Sequence, residues 1–153
     1  MNITVIFDMD GTIADLYAVE DWLEMLRAYD PTPYLVACPM VDGLAEAISF
    51  LHDNAITTKV VSWLSKESTP EYNAEVRKAK REWIEEQGLD FDSIRLVPYG
   101  TEKAYYRDKD SINILIDDNA DVRESFCRFP NCEAYDPAEM DMVKFLMGLV
   151  ERA

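Results

Sequence analysis

The sequence has a single histidine, His52, and it falls on the polar side of a helical pattern, where it reads as solvated. Chemistry built on a Ser-His or Cys-His pair is therefore excluded. The cysteines Cys38, Cys127 and Cys132 are odd in number and lack CxxC spacing, so they read as reduced thiols of a cytoplasmic protein. No apolar run approaches the roughly 20 residues a membrane span needs. No leader pattern precedes the first strand either. Basic residues are scarce: 15 Lys and Arg stand against 30 Asp and Glu, for a formal net charge of -15. Like charges repel, which argues against broad adhesion to nucleic acid or anionic membrane. A phosphate-bearing ligand remains compatible, because a bound divalent ion inverts the local field.

What is present is an ordinary globular composition, 48% hydrophobic and 29% charged over 153 residues. One domain spanning residues 1–153 is expected. Apolar, β-branched runs predict strands at Ile3–Phe7, Thr57–Val61, Ile94–Val97 and Ile112–Ile116, with a weaker fifth at Glu133–Tyr135. Helical spacing joins Val19, Trp22, Leu23, Leu26 and Tyr29, and again Leu44, Ala45, Ile48 and Leu51. A longer helix is predicted from Glu71 to Gln87, with Val76, Lys80, Trp83, Ile84 and Gln87 on one stripe and Gly88 ending it. A last helix is predicted over Pro137–Val150. Strands alternating with helices mean an α/β fold, a parallel sheet of about five strands covered on both faces.

Ligands of such sheets bind outside the carboxyl ends of the strands. The first strand runs into Phe7-Asp8-Met9-Asp10-Gly11-Thr12. Side chains alternate along a strand, so Asp8 and Asp10 tend to one side, with Gly11 free to turn sharply. Two crowded carboxylates repel unless a cation or shared proton relieves them, and Mg²⁺ suits hard oxygen ligands. The second strand ends at Ser62, the fourth at Asp117 and Asp118, and the loop after the third carries Lys103. Acids scattered at random would fall at both ends of the sheet.

These four stations, in this order, resemble the haloacid dehalogenase superfamily of phosphohydrolases across essentially the whole chain. Asp8-Met9-Asp10-Gly11-Thr12 is similar to its DxDGT motif, Ser62 to its second motif, Lys103 to its third, and Asp117-Asp118 to its fourth. The resemblance implies a three-layer α/β/α, Rossmann-like fold. It implies Asp8 as the nucleophile, giving an aspartyl-phosphate that splits hydrolysis into two easier steps. Asp10 is then the acid that protonates the leaving oxygen and the base for water, with its backbone carbonyl on Mg²⁺. Asp117 completes the metal site, and Asp118 is a ligand or an orienter of ligands. Ser62 binds a phosphoryl oxygen, while Lys103 pairs with phosphate and keeps Asp8 ionised. Transport ATPases of the superfamily carry Thr at the position of Asp10, and its dehalogenases lack that aspartate, so a phosphatase is expected.

Simpler readings stand beside these roles. Ser65 competes with Ser62, and Lys109 lies near Lys103. Asp118 and Asp121 are also candidates to cap the helix that starts near Ala120. The basic run Arg77-Lys78-Ala79-Lys80-Arg81 reads as a solvated helix face among Glu75, Glu82, Glu85 and Glu86.

Specificity in this superfamily comes largely from inserted cap domains. Residues 13–40 offer one helix and the Pro-interrupted loop Asp30-Pro31-Thr32-Pro33-Tyr34, which amounts to a vestigial cap. Residues 63–102 leave no room for a second cap. An open site of this kind admits large phosphate esters or is closed by a second subunit. The motif style is nearest to the 5'-deoxyribonucleotidase branch, and Trp63, Tyr99, Tyr105 and Tyr106 lie near strand ends, where they are candidates to stack a base or to pack the core. The expected substrate is a small-molecule phosphate ester, with a nucleotide within that class. A polynucleotide 3'-phosphatase and a catalytically silent binding module on the same fold are the alternatives; the negative charge weighs against the first, and the intact acids weigh against the second.

Overall fold

Strand β1 (Asn2–Phe7), rich in β-branched residues, takes the centre of a five-stranded sheet. It is flanked by β4 (Thr57–Trp63) and β6 (Ser111–Ile116), with β5 (Ser93–Val97) outside β4 and β7 (Cys132–Tyr135) outside β6. All four pairings are parallel. Phe7 sits opposite Val60 on one side and Ile116 on the other, so β1 and β6 end at one level while β4 runs on to Trp63. The computed structural model describes every residue from Met1 to Ala153.

A strand covered on both faces must be apolar throughout, and alternation then divides its residues between two cores. Ile3, Val5, Phe7, Val60, Ile114 and Ile116 face one layer. That layer consists of α3 (Leu44–Asp53), α6 (Met142–Gly148) and the end of α4 (Pro70–Glu86). Ile6, Val61, Val97 and Leu115 face α5 (Ala120–Phe126) and a 3₁₀ turn at Lys103–Tyr106. The expected α/β architecture with a parallel five-stranded sheet is therefore what the chain adopts. No helix is long and apolar enough to cross a membrane.

Residues 14–39 make a small unit over one end of this sheet. The short strands β2 (Ala14–Asp15) and β3 (Cys38–Pro39) pair antiparallel at its base. Between them lie α1 (Trp22–Arg27) and α2 (Thr32–Val36). The expected Val19–Tyr29 helix is shorter because Asp21 (φ 60°) and Tyr29 (φ 59°) turn left-handed at its two ends. The expected loop contains α2, whose Pro33 falls in the first turn, where a missing N–H costs nothing. Leu16 and Tyr34 bury themselves against Tyr72, Val76 and Ala79 of α4. Trp83 of the same helix donates from Nε1 to the Ala37 carbonyl at 2.7 Å.

Other differences have local causes. The C-terminal segment breaks at Asp141, whose carboxylate accepts from Lys144 N at 3.2 Å and restarts the chain as α6. Helix α5 is capped by Asn119, which accepts from the backbone of Asp121 and Val122, so neither Asp118 nor Asp121 serves as the cap. His52 is not free in solvent: its Nε2 lies 2.9 Å from Thr58 Oγ1 and 3.1 Å from Asp92 Oδ2. Thr58 is the second residue of β4 and Ser62 the last but one, so this histidine is at the far end of the sheet from the acids.

Trp83→Ala removes the largest fully buried side chain and its tie to Ala37. Denaturant unfolding should register a loss of about 3–5 kcal/mol. A loss under about 1 kcal/mol would mean that α4 and residues 14–39 are not held together there.

Candidate active site at the carboxyl ends of the strands

The hydrogen-bond ladder extends one residue past β1, with Asp8 N donating to the Ile116 carbonyl at 2.9 Å. The chain then folds back around the Met9 carbonyl, which accepts from Thr12, Ile13 and Ala14 N at 3.2, 3.0 and 3.0 Å. Met9 itself is fully buried and anchors this loop in the core. Gly11 has φ of 82°, and a Cβ there would collide with Asp118 Oδ2 and come within 2.7 Å of Tyr17. Glycine is needed at this position both for its backbone angle and because Asp118 packs directly onto it.

Three sequence-predicted residues share one buried ion cluster. Lys103 Nζ donates to Asp8 Oδ1 at 2.8 Å and to Asp117 Oδ2 at 2.7 Å. Asp8 Oδ2 accepts from the Thr12 hydroxyl at 3.1 Å, and Asp117 Oδ1 from Asn119 N at 2.9 Å. Burial disfavours charge on Lys103, but Asp8 and Asp117 outweigh it and its pKa rises. Asp117 is pushed up to about 6 by burial and by the charge of Asp8, against the pull of Lys103. Asp118, exposed at the rim with its carboxylate against Gly11, is pushed up to about 7 by desolvation and by Asp8. Tyr17 rises for the same reasons, burial first and Asp118 next, and stays a neutral phenol.

Two further predicted residues, Asp10 and Ser62, are joined by a lysine that its charged neighbours in sequence mark as solvated. Lys80 is fully buried, with Nζ at 2.8 Å from Asp10 Oδ2, 2.8 Å from Ser62 Oγ and 3.0 Å from the Trp63 carbonyl. Of the basic run, Arg77, Lys78 and Arg81 are exposed as expected, and Lys80 is the correction. The reason is helical phase: Lys80 lies four residues after Val76 and three before Trp83, so it projects with the buried stripe. That position in the stripe was the available signal. Burial raises the pKa of Asp10 despite the attraction of Lys80. Its Oδ1 is buried with no hydrogen-bond partner.

Of the competing residues, Ser65 shares the cavity with Ser62, whereas Lys109 and Asp121 stand outside it. Ser65 Oγ is 3.1 Å from the Tyr34 hydroxyl, and both Lys109 and Asp121 are exposed, the latter outside the acid cluster. Asp8, Asp10, Ser62, Lys103, Asp117 and Asp118 open onto a cavity of about 730 Å³. Trp63 and Tyr99 line it together, their rings 4.9 Å apart, whereas Tyr105 packs on Phe129 and neither it nor Tyr106 reaches the cavity. Tyr17, Trp22 and Tyr34, all from residues 14–39, form another part of the lining, a contribution the sequence did not reveal.

Asp8, Asp117 and Asp118 each offer a carboxylate oxygen, all within 4.8 Å of one another. The Asp10 carboxylate is not among them, being turned to Lys80, which leaves only its backbone carbonyl for a metal. The acid cluster itself, Asp8, Asp10, Asp117 and Asp118, meets two ammonium groups, Lys80 and Lys103, which leaves two formal negative charges in excess when all are ionised; Arg27, Lys66 and Glu67 line the cavity farther from these contacts. A hard divalent cation with oxygen preference fits that donor set and that charge.

Solved structures share this architecture. A chain of the Pnkp1/Rnl/Hen1 RNA repair complex matches with a TM-score of 0.61 at 14% identity, over 89% of this chain and 42% of that one. The chain thus spans less than half the length of that protein. D,D-heptose 1,7-bisphosphate phosphatase from B. bronchiseptica, complexed with magnesium and phosphate, matches with a TM-score of 0.60 at 11% identity over 100% of both chains. The D,D-heptose 1,7-bisphosphate phosphatase of Burkholderia thailandensis matches with a TM-score of 0.51 at 11% identity, over 98% of this chain and 99% of that one. At such identities the likeness is one of fold. No protein-family model and no curated protein matches the sequence.

Raised carboxyl pKa values carry a stability consequence. Asp117 and Asp118 bind protons more tightly folded than unfolded, where carboxylates titrate near pH 4, so the native state holds extra protons between roughly pH 4 and 7. Stability of the metal-free protein therefore falls as pH rises through that window. Glu133, held low by Arg152, loses its contribution only on further acidification. In chelator, thermal melting should come at a higher temperature at pH 5 than at pH 8, and Asp118→Asn should shrink the difference. The reverse order of melting would contradict this.

Proposed function

We propose that the chain is a magnesium-dependent phosphomonoesterase of the haloacid dehalogenase type, working through an aspartyl-phosphate. The observation that carries this reading is the buried Asp8–Lys103–Asp117 cluster beside Asp10 at the mouth of the sheet. Asp8 attacks phosphorus, the bond to the leaving oxygen breaks, and Asp10 gives that oxygen its proton. A water then attacks the phosphorus of the aspartyl-phosphate as Asp10 takes its proton, and the bond to Asp8 breaks. Lys103 has three N–H donors and two protein acceptors, so one hydrogen is left for a phosphoryl oxygen. Ser62 supplies a further donor. Asp8, Asp117, Asp118 and the Asp10 carbonyl would hold Mg²⁺, which supplies charge to offset that of the phosphate.

For substrate, the cavity favours a small phosphate ester with a flat apolar part, and a nucleoside 5'-monophosphate meets that description. The ring pairs Trp63–Tyr99 and Tyr17–Trp22 support it by lining the cavity that the acids share. Residues 13–40 act as a vestigial cap that narrows the entrance. The likeness to a chain of an RNA repair complex favours a second reading, a polynucleotide 3'-phosphatase. The net charge of -15 weighs against a polyanionic substrate. Comparing turnover of a nucleoside 5'-monophosphate with that of a 3'-phosphorylated oligonucleotide separates the two.

Asp8→Asn should lower phosphatase turnover by about 10³-fold or more while the circular dichroism spectrum stays native, and chelation should do the same. Appreciable turnover by a freshly purified variant would remove Asp8 from its role. Asp10→Asn should slow hydrolysis of alkyl phosphates at least about tenfold more than that of aryl phosphates, whose leaving groups need less protonation. Equal losses on both esters would rule out Asp10 as the acid.

A further inference from the structure

Resting on the phosphatase reading, we infer that Lys80 is a positioning residue that aims both Asp10 and Ser62 at the substrate. An ammonium group has three hydrogens and no lone pair. Asp10 Oδ2, Ser62 Oγ and the Trp63 carbonyl take all three, at 2.8, 2.8 and 3.0 Å. Lys80 therefore has none left for a phosphate, in contrast to Lys103. Its influence runs through its partners.

Two consequences follow from the donor inventory. Lys80 cannot accept, so Ser62 Oγ must accept from it, and the single hydroxyl hydrogen of Ser62 is directed elsewhere. No protein group accepts that hydrogen, and a phosphoryl oxygen in the cavity that Ser62 lines is the group able to take it. The second consequence concerns Asp10. Pinned through Oδ2, its carboxylate is held in one orientation at the cavity wall, with Oδ1 buried and without any protein partner. One buried cation thus orients the acid and turns the serine into an obligatory donor. Tyr34 of the segment over the sheet closes the other side of Lys80, its ring centroid 4.8 Å from Nζ.

The test uses the full chain with Mg²⁺, an aryl phosphate, an alkyl phosphate, and inorganic phosphate as a competitive inhibitor. In Lys80→Met, kcat should fall about 10²-fold further on the alkyl than on the aryl ester, the signature of a misplaced acid. Inhibition by phosphate should weaken about tenfold, and by no more when Ser62→Ala is added, since the two changes remove one hydrogen bond to phosphate. Equal losses on both esters with unchanged phosphate inhibition would reduce Lys80 to a structural residue and overturn the inference; additive losses of phosphate affinity would do so too. Lys80→Met strands a buried carboxylate, so Lys80→Met/Asp10→Asn, which removes both charges, guards against misfolding. Its phosphate inhibition should still be about tenfold weaker than that of Asp10→Asn alone, and equality would again overturn the inference. If the unaltered chain hydrolyses neither ester, the phosphatase reading falls and this inference falls with it. If it hydrolyses both and Lys80→Met behaves like it, only the inference falls.

Discussion

Four carboxylates crowd the mouth of a parallel sheet, and two buried lysines hold them there. Lys103 bridges Asp8 and Asp117, and Lys80 ties Asp10 to Ser62. Without those cations the acids would repel one another and the loop after β1 would splay toward water. Losing one partner from a buried pair of this kind costs roughly 3–5 kcal/mol, because the other charge is left stranded. The same arrangement leaves the acid cluster short of positive charge, and Asp8, Asp117 and Asp118 place three carboxylate oxygens within reach of one cation.

The two lysines reach the site from opposite layers, and this makes the pocket sensitive to the whole fold. Lys103 comes from the 3₁₀ turn that packs with Val122 and Phe126 on one face of the sheet. Lys80 comes from α4 on the other side, whose neighbouring turns carry Val76 and Trp83 into the two remaining cores. Shifting either layer by an ångström or so would break charge-assisted hydrogen bonds of 2.7–2.8 Å. Packing far from the acids therefore sets their geometry. The segment between β2 and β3 joins this coupling through Tyr34 and the Trp83–Ala37 hydrogen bond, and it lines the cavity with aromatic rings.

Legibility in the sequence followed from how local each constraint is. Strand positions were readable because an apolar, β-branched run flanked by polar residues has few other homes, and the observed strands differ from the expected ones by a residue or two at their ends. Asp8 and Asp10 were readable because the turn at Gly11 is encoded within a few residues. Helix α1 was overextended because the left-handed turns at Asp21 and Tyr29 leave no mark on hydrophobic periodicity. At Lys80 two local signals conflict: its neighbours in sequence suggest a charged face, while its phase places it with Val76 and Trp83. Phase won, since a helix against a sheet buries whatever its inner stripe carries, provided a buried charge finds partners there. Asp10 and Ser62 are those partners, and they lie 70 and 18 residues away.

The order of the five sheet strands, the acidic turn after β1 and the acid pair after β6 were settled by the sequence alone, because each is written in residues that are neighbours along the chain. Which of two lysines and two aspartates enter the pocket, and which of two serines meets Lys80, was decided only when the layers closed over the sheet. So was the membership of Lys80, and so were the aromatic rings contributed by residues 14–39. Those outcomes depend on side chains meeting across long separations, where a buried charge must find its counter-charge and a buried donor its acceptor, and no local pattern specifies such a meeting.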